Sequence, residues 1–387
     1  MSNLCLTDFL NAKPLYYDEI DYDRMPRTYK KIEDFFKLPK IIHLIGTNGK
    51  GTTGRFLASA LLKKGLHVGH YTSPHILKFN ERIWLNGLDI SDDVLEDAHE
   101  KLSSLLSKED TDALSYFEYT TLLAIVVYEK CDYIVLEAGL GGEYDATAVF
   151  PKELTLFTPI DFDHTAFLGN TIESIATTKL NAMQKSTIVG FQKYDAVYKI
   201  AEQIAAQKGV EITFLKECSA EFFEQIAVIS EAMHLPIYLS DNLSLAASAL
   251  EKLGFEFSLE DFKDARLFGR LTQIAPNIIL DVGHNPLAAT AIAKALEGQK
   301  FTLIYNSYKD KDFAEILTIL KPIITEIEIL HVEDSRIASK ELLEEAIARI
   351  GLTCRPYFKI QKQKNYLIFG SFSVAETFLK GWQKSQN

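Results

Sequence analysis

The sequence predicts an α/β fold with a P-loop-type, mainly parallel sheet, and three observations carry that reading. Short apolar runs of β character alternate with helix-length segments along the chain, the pattern of parallel strands joined by helical crossovers. A glycine-rich turn, Gly46-Thr47-Asn48-Gly49-Lys50-Gly51-Thr52-Thr53, joins the first such run to the first such helix. The length of 387 residues exceeds what one ordinary core holds and predicts two domains.

In the first part, strands are expected at residues 41–45, 67–71, 133–137, 154–159, 186–190 and 210–215. Helices are expected at 51–64, 92–106, 118–130, 171–183, 194–208 and 243–253. A second alternation follows Phe268-Gly269-Arg270, with strands at 277–281, 301–305, 327–332 and 366–369. Its helices are expected at 286–297, 313–320, 339–350 and 374–384. The boundary is placed near Leu267, giving domains of residues 1–267 and 268–387.

Composition narrows the function. A net charge of −12 argues against a nucleic-acid partner, which a basic face would serve. It also denies an anionic ligand any long-range steering, so local lysines, arginines, helix ends or metal ions must hold it. No uncharged apolar stretch reaches the length of a membrane span, and the N-terminus lacks a secretory pattern. Cys5, Cys131, Cys218 and Cys354 lie far apart without metal-ligand or disulfide-framework spacing, which fits a reducing cytoplasm.

The turn at 46–53 is a phosphate cradle: unpaired backbone N–H groups gather at the positive end of the helix dipole. Lys50 can reach the outer phosphates, and Thr52 or Thr53 can offer a hydroxyl to magnesium. The strict Walker spacing is not met, because Leu44 replaces its first glycine and Gly51 separates Lys50 from Thr52. Ser73, in Thr72-Ser73-Pro74-His75, stands just past the second strand, where ligands collect in a parallel sheet. On its own that turn reads better as a serine-proline bend. Glu137 ends a buried-type strand before Ala138-Gly139-Leu140-Gly141-Gly142, the place of a magnesium-directed carboxylate. His164, past the strand at 154–159, can ligate a metal as neutral imidazole with Asp161 or Asp163 orienting it. Lys179 reads from local physics as a surface or salt-bridging lysine. In Asp281-Val282-Gly283-His284-Asn285-Pro286, Asn285 and Pro286 are explained as a helix start, whereas Asp281 and His284 are not. Arg270 offers a planar cation suited to phosphate.

These motifs, in this order, resemble the bifunctional dihydrofolate synthase/folylpolyglutamate synthase family of Mur-type ATP-dependent amide ligases. Glu-Arg-Ile at 81–83, Tyr-Phe-Glu-Tyr at 116–119, Asp-Ala-Thr at 145–147 and Asp-His-Thr at 163–165 add to those above. Gly-Arg-Leu at 269–271, Lys-Asp at 311–312 and Phe-Gly-Ser at 369–371 continue the series. The resemblance implies a Mur-ligase-like N-terminal ATPase domain that also binds pterin, and a smaller Rossmann-like C-terminal glutamate-ligase domain. The implied reaction joins L-glutamate to dihydropteroate, and to reduced folates, through an acyl phosphate made with ATP. By resemblance, Thr47, Asn48, Gly49, Lys50, Gly51 and Thr52 hold the triphosphate, with Asn242, Arg270, Asp281 and His284 toward ATP. Ser73, Glu137, His164 and Lys179 serve two Mg2+ ions, Lys179 as a carbamylated lysine. Lys50, His164 and Lys179 carry catalysis, while Arg82, Ser115, Tyr116, Phe117, Glu118, Tyr144, Asp145 and Ala146 line the acceptor site. The expected partners are these small molecules, with no nucleic acid or membrane, and a monomer in the cytoplasm.

Three departures fall near the acceptor. Glu143 stands where the family has arginine, Ala148 where it has asparagine, and Leu-Asn-Ala-Met follows Lys179 in place of Ala-Gly-Ile. The alternatives are another Mur-type amide ligase, a P-loop nucleotide-binding regulator without ligase activity, and a binding paralogue without turnover.

Overall fold

Eight strands line up in the first sheet of the computed structural model, which describes residues 5–13 and 21–386. They are β1 (Lys40–Ile45), β2 (Val68–Tyr71), β3 (Ile83–Leu85), β4 (Leu88–Asp89), β5 (Tyr133–Glu137), β6 (Leu154–Phe157), β7 (Ser186–Val189) and β8 (Glu211–Phe214). Their order is β4-β3-β2-β5-β1-β6-β7-β8, parallel from β2 to β8, with β3 and β4 antiparallel at one edge. The α/β class with a mainly parallel sheet is thus the one the alternation predicts.

Helices cover both faces, so the central strands are buried on both sides and read as continuous apolar runs. Along β1, Ile42 and Leu44 pack with Phe56, Leu57 and Leu61, while Ile41 joins Tyr119, Leu122 and Leu123 in a second cluster. A third cluster gathers Ile45, Phe157 and Val189 under Ile175, Ala176 and Leu180. Close packing fixes small residues between the layers. A Cβ on Gly69 of β2 would overlap the ring of the fully buried Tyr128.

The second sheet holds β9 (Thr272–Ala275), β10 (Ile278–Leu280), β11 (Phe301–Tyr305), β12 (Ile324–Ile329), β13 (Cys354–Pro356) and β14 (Tyr366–Phe369). Its order is β13-β12-β11-β14-β10-β9, parallel except for the antiparallel pair β9–β10. By contacts the chain divides into Met1–Leu235 with Leu239–Arg266, and Pro236–Tyr238 with Leu267–Asn387. Among the described residues, no helix is long and apolar enough to cross a membrane.

Several elements differ from the sequence expectation. The hairpin β3–β4 was not expected, although Asn86-Gly87 at its tip has the positive φ values, 49° and 108°, that favour this dipeptide in tight hairpins. Helices Arg24–Ile32 and Ala220–Ala232 were also not expected, and helix Ile237–Lys252 starts six residues before the expected 243. The strand expected at 327–332 lies three residues earlier, because Ile324 pairs with Phe301.

Gly69→Ala is expected to lower unfolding free energy by about 2 kcal/mol, the usual cost of overpacking a rigid site. Urea denaturation measures it, and a loss within about 0.5 kcal/mol would contradict the tight β2–Tyr128 contact.

Candidate active site

β1 has β5 on one side and β6 on the other, so connections from its carboxyl end diverge there. Ligands collect at such a switch point. Gly46 leaves the strand with φ 155°, and a Cβ there would overlap the Thr158 hydroxyl. Thr47 latches the turn: its N–H donates to the Pro159 carbonyl at 2.8 Å and its hydroxyl to the Asp161 carbonyl at 2.9 Å. Gly49 is left-handed at φ 91°, and the side chain of Asn242 occupies the space a Cβ would need. Lys50 opens the helix Lys50–Lys63, with Gly51 and Thr52 buried behind it. Its ammonium folds back to donate to the carbonyls of Gly46 at 3.1 Å and Thr47 at 3.3 Å.

The parallel register sets Leu44 opposite Glu137. Glu137, 5% exposed, thereby comes 3.9 Å from the Lys50 ammonium. Its other oxygen accepts from the Thr72 hydroxyl and, at 3.3 Å, from the Ser73 N–H. Sequence reasoning singled out Ser73 and passed over Thr72, whose hydroxyl is the group on the carboxylate.

Lys179 corrects its local reading as a surface residue: it is 4% exposed, in the last turn of helix Ile172–Leu180. Its amine donates to the same Gly46 carbonyl at 3.2 Å. Burial, then the charge of Lys50, brings its pKa down to about 7. His164 is left-handed at φ 50°, ahead of the short helix Thr165–Leu168, with Nε2 3.8 Å from an Asp163 oxygen. Asp161 is engaged elsewhere, accepting from the Tyr194 hydroxyl at 3.0 Å and from Lys193 at 3.3 Å.

Among the described residues, no three His, Cys, Asp or Glu side chains gather closely enough to hold a metal by themselves. The donor chemistry nevertheless fits Mg2+: a buried carboxylate with the Thr72 hydroxyl on it is a hard oxygen set, of the kind that ion takes together with water and phosphate oxygens.

The glycine-rich loop after β5 is tied to the same place. Asp145 is its hub, with one oxygen accepting the N–H groups of Gly139 and Leu140, each at 2.9 Å. The other accepts the N–H and hydroxyl of Thr147. Burial pushes the Asp145 pKa up, and these donors oppose that rise. Thr147 in turn meets His43 Nε2 of β1 at 2.7 Å. Burial, then the nearby Lys152, keeps His43 well below the usual imidazole range. Lys152 donates to the carbonyls of Ala148 and Phe150, and burial brings its pKa down to about 7.

The other residues expected to line the acceptor site divide by their contacts. Ser115 and Glu118 form the capping box of helix Tyr116–Val127, and Glu118 pairs with Arg24 at 2.8 Å. Those side chains therefore have structural partners that S-x-x-E spacing announces. The Phe117 ring fills the space beside Gly139. Arg82 stacks over Tyr116 at 5.3 Å and donates to His75 at 2.8 Å. Ala146 is buried, while Tyr144 is 58% exposed and its ring packs 4.6 Å from that of Tyr22.

In the second unit, Asp281 is buried, and its two oxygens accept the N–H groups of Leu271 at 2.8 Å and Gly283 at 2.7 Å. Burial raises its pKa and Arg270 opposes the rise. The Arg270 guanidinium lies over Phe372 at 5.2 Å, and His284 Nδ1 is 3.2 Å from the Val282 carbonyl oxygen.

Residues 45–237 match the model of the Mur ligase middle domain, and with the relatives that follow this places the chain among the ATP-dependent carbon–nitrogen ligases of the Mur type. The dihydrofolate synthase/folylpolyglutamate synthase of Haemophilus influenzae is 32% identical over 345 residues, covering 80% of this chain and 78% of that protein. A crystal structure of Helicobacter pylori folylpolyglutamate synthetase is 39% identical, covers 99% of both chains and superposes with a TM-score of 0.82. The Yersinia pestis bifunctional enzyme, solved with AMPPNP and a Mn ion, is 25% identical over 97% of both chains with a TM-score of 0.83. The chain belongs to the dihydrofolate synthase/folylpolyglutamate synthase family.

Lys152 gives a pH test of the buried loop anchor. In the unfolded chain its amine stays protonated to about pH 10, whereas in the fold it loses the proton near pH 7. Between those values the unfolded chain binds more protons, so this lysine makes stability rise with pH by about 1.4 kcal/mol per unit. Lys179 acts in the same direction. Lys152→Met is expected to lower the measured slope by about one such increment between about pH 7 and 10. An unchanged slope in denaturant titrations would mean the amine is not buried as described.

Proposed function

We propose that the residues around Gly46 and Glu137 carry out the family's reaction, ATP-dependent ligation of L-glutamate to a pteroate-type carboxylate. The observation that supports it best is the meeting of Lys50 and Lys179 on one carbonyl, with Glu137 beside Lys50. A carboxylate is a poor electrophile, so the acceptor is first phosphorylated: its oxygen bonds to the γ-phosphorus, and ADP leaves. The α-amine of glutamate then attacks the acyl carbon and loses a proton, an amide forms, and inorganic phosphate departs. Reduced folates are acceptors by the same chemistry, their glutamate side chain supplying the carboxylate.

Thr47 to Thr52 would cradle the triphosphate with loop N–H groups, and Asn242 would hold Gly49 in place behind it. Lys50 would exchange its loop carbonyls for phosphate oxygens and stabilise charge in the transition state. Ser73, Glu137 and His164 would hold divalent metal, two Mg2+ ions in our reading, which when bound neutralises the phosphoryl oxygens. The presence of AMPPNP and Mn in the Yersinia pestis enzyme supports ATP and a divalent metal as the ligands of this reaction.

Lys179 fits a carbamylated lysine on physical grounds. Its lowered pKa leaves a large neutral fraction near pH 7. The amine nitrogen can then bond to the carbon of CO2 and release a proton. The product is an anion, so repulsion from Lys50 becomes attraction. Arg82, Tyr116, Phe117 and residues 144–146 are proposed to hold the acceptor, and Arg270, Asp281 and His284 to serve ligand binding by the second unit.

Purified protein with ATP, Mg2+, glutamate and dihydropteroate is expected to release ADP in a glutamate-dependent manner, and EDTA to abolish that release. ADP release indifferent to glutamate and pteridine would favour a nucleotide-binding regulator. Lys50→Met is expected to lower kcat by about 10²–10³-fold. Lys179→Ala is expected to lose activity on a similar scale and to regain part of it with added formate or acetate, which replace the missing carboxylate. Full activity of Lys179→Ala without additives would remove carbamylation from the mechanism.

A further inference from the structure

The reaction as derived leaves one anchored charge unused, the carboxylate of Glu143. Gly142 packs so closely on the last turn of helix Ile172–Leu180 that a Cβ would overlap the Lys179 backbone. Glu143 continues this contact: its N–H donates to the Thr178 carbonyl at 3.1 Å. Its side chain accepts from Asn181 Nδ2 at 2.9 Å. Asn181 is itself fixed, its N–H on the Thr177 carbonyl at 2.9 Å and its own carbonyl accepting from Lys208. The Glu143 carboxylate is thus held through both backbone and side chain. Its hydrogen-bond partner is a neutral amide, and among the described residues no lysine or arginine forms an ion pair with it.

This charge sits one residue before Tyr144, whose exposed ring pairs with the equally exposed Tyr22. An exposed pair of aromatic rings, tilted 46° to one another and next in sequence to a fixed anion, suits a ligand with a planar heterocycle and little negative charge near it. Acceptors for glutamate ligation differ in that charge. A pteroate-type acceptor carries one carboxylate, the one being activated. An acceptor that already bears glutamate carries at least one more, and a fixed like charge disfavours it.

We propose that Glu143 determines acceptor choice, favouring an unglutamylated acceptor over one already carrying glutamate, through repulsion of the surplus carboxylate. Asn181 is the positioning residue that holds the charge in place. The inference rests on the glutamate-ligase reading above.

The test compares kcat/KM for dihydropteroate and for tetrahydrofolate in wild type, Glu143→Gln and Glu143→Arg. Glutamine keeps an oxygen for Asn181 while removing the charge, and arginine reverses it. Glu143→Gln is expected to raise kcat/KM for tetrahydrofolate about tenfold, through KM, with dihydropteroate changed by less than about twofold. Glu143→Arg is expected to shift the ratio further. Raising ionic strength should shrink the wild-type preference and leave the Glu143→Gln ratio nearly unmoved, which a purely structural role would not produce. If Glu143→Arg does not fold, Glu143→Gln and the salt series decide the matter. Wild-type turnover of both acceptors with a ratio insensitive to Glu143→Gln and to salt overturns this inference alone. Wild-type protein that ligates glutamate to neither acceptor overturns the ligase reading and this inference with it.

Discussion

Two ammonium groups share one backbone carbonyl: Lys50 and Lys179 both donate to Gly46, and almost everything around them serves to make that tolerable. Like charges at such range in a dry site repel strongly. The fold answers in two ways. Burial strips the proton from a fraction of Lys179, and the β1–β5 register delivers the Glu137 carboxylate to the flank of Lys50. A shift of one residue in that register would turn Glu137 to the opposite face of the sheet. The long-range pairing of the sheet therefore sets the Lys50–Glu137 pair and is more than a scaffold.

The loop after β5 is positioned by the same strand that positions the phosphate turn. Asp145 gathers the loop's N–H groups, Thr147 relays to His43, and His43 sits on β1 two residues before Ile45. A buried hydrogen-bonded chain of this kind is costly to break at any member, because the remaining groups are left unpaired away from water. The loop at 139–147 and the glycine-rich turn at 46–53 consequently share a rigid reference. This explains why Asp145, read from sequence as a ligand-binding residue, is so fully occupied by its own loop.

What was legible in the sequence was whatever local chemistry writes locally. The strand–turn–helix at 41–64 was announced by its own residues, and Glu137 at the end of an apolar strand announced a carboxylate that the fold brings to Lys50. Lys179 was illegible by the same logic, since its helix gives no local sign that this turn is buried under Gly46; only the resemblance drew attention to it. Thr72 was overlooked because its neighbour Ser73 has the same chemistry, and the side-chain direction that separates them is set by β2. His43 was invisible as a polar partner because it meets Thr147 from 104 positions away, a contact only the fold makes. Lys152, though bonded to the nearby Ala148 and Phe150 carbonyls, gave no local sign of its burial. The Asn86-Gly87 hairpin, by contrast, was written locally and passed over.

The outermost strands have a consequence for how the chain behaves in company. β4 has two residues, and β13 ends in Pro356, which carries no N–H. Unpaired strand edges invite another chain to extend the sheet, and brevity or proline withdraws that invitation. At these two margins the molecule therefore offers little template for intermolecular strand addition, a protection against self-association that costs nothing in the catalytic interior.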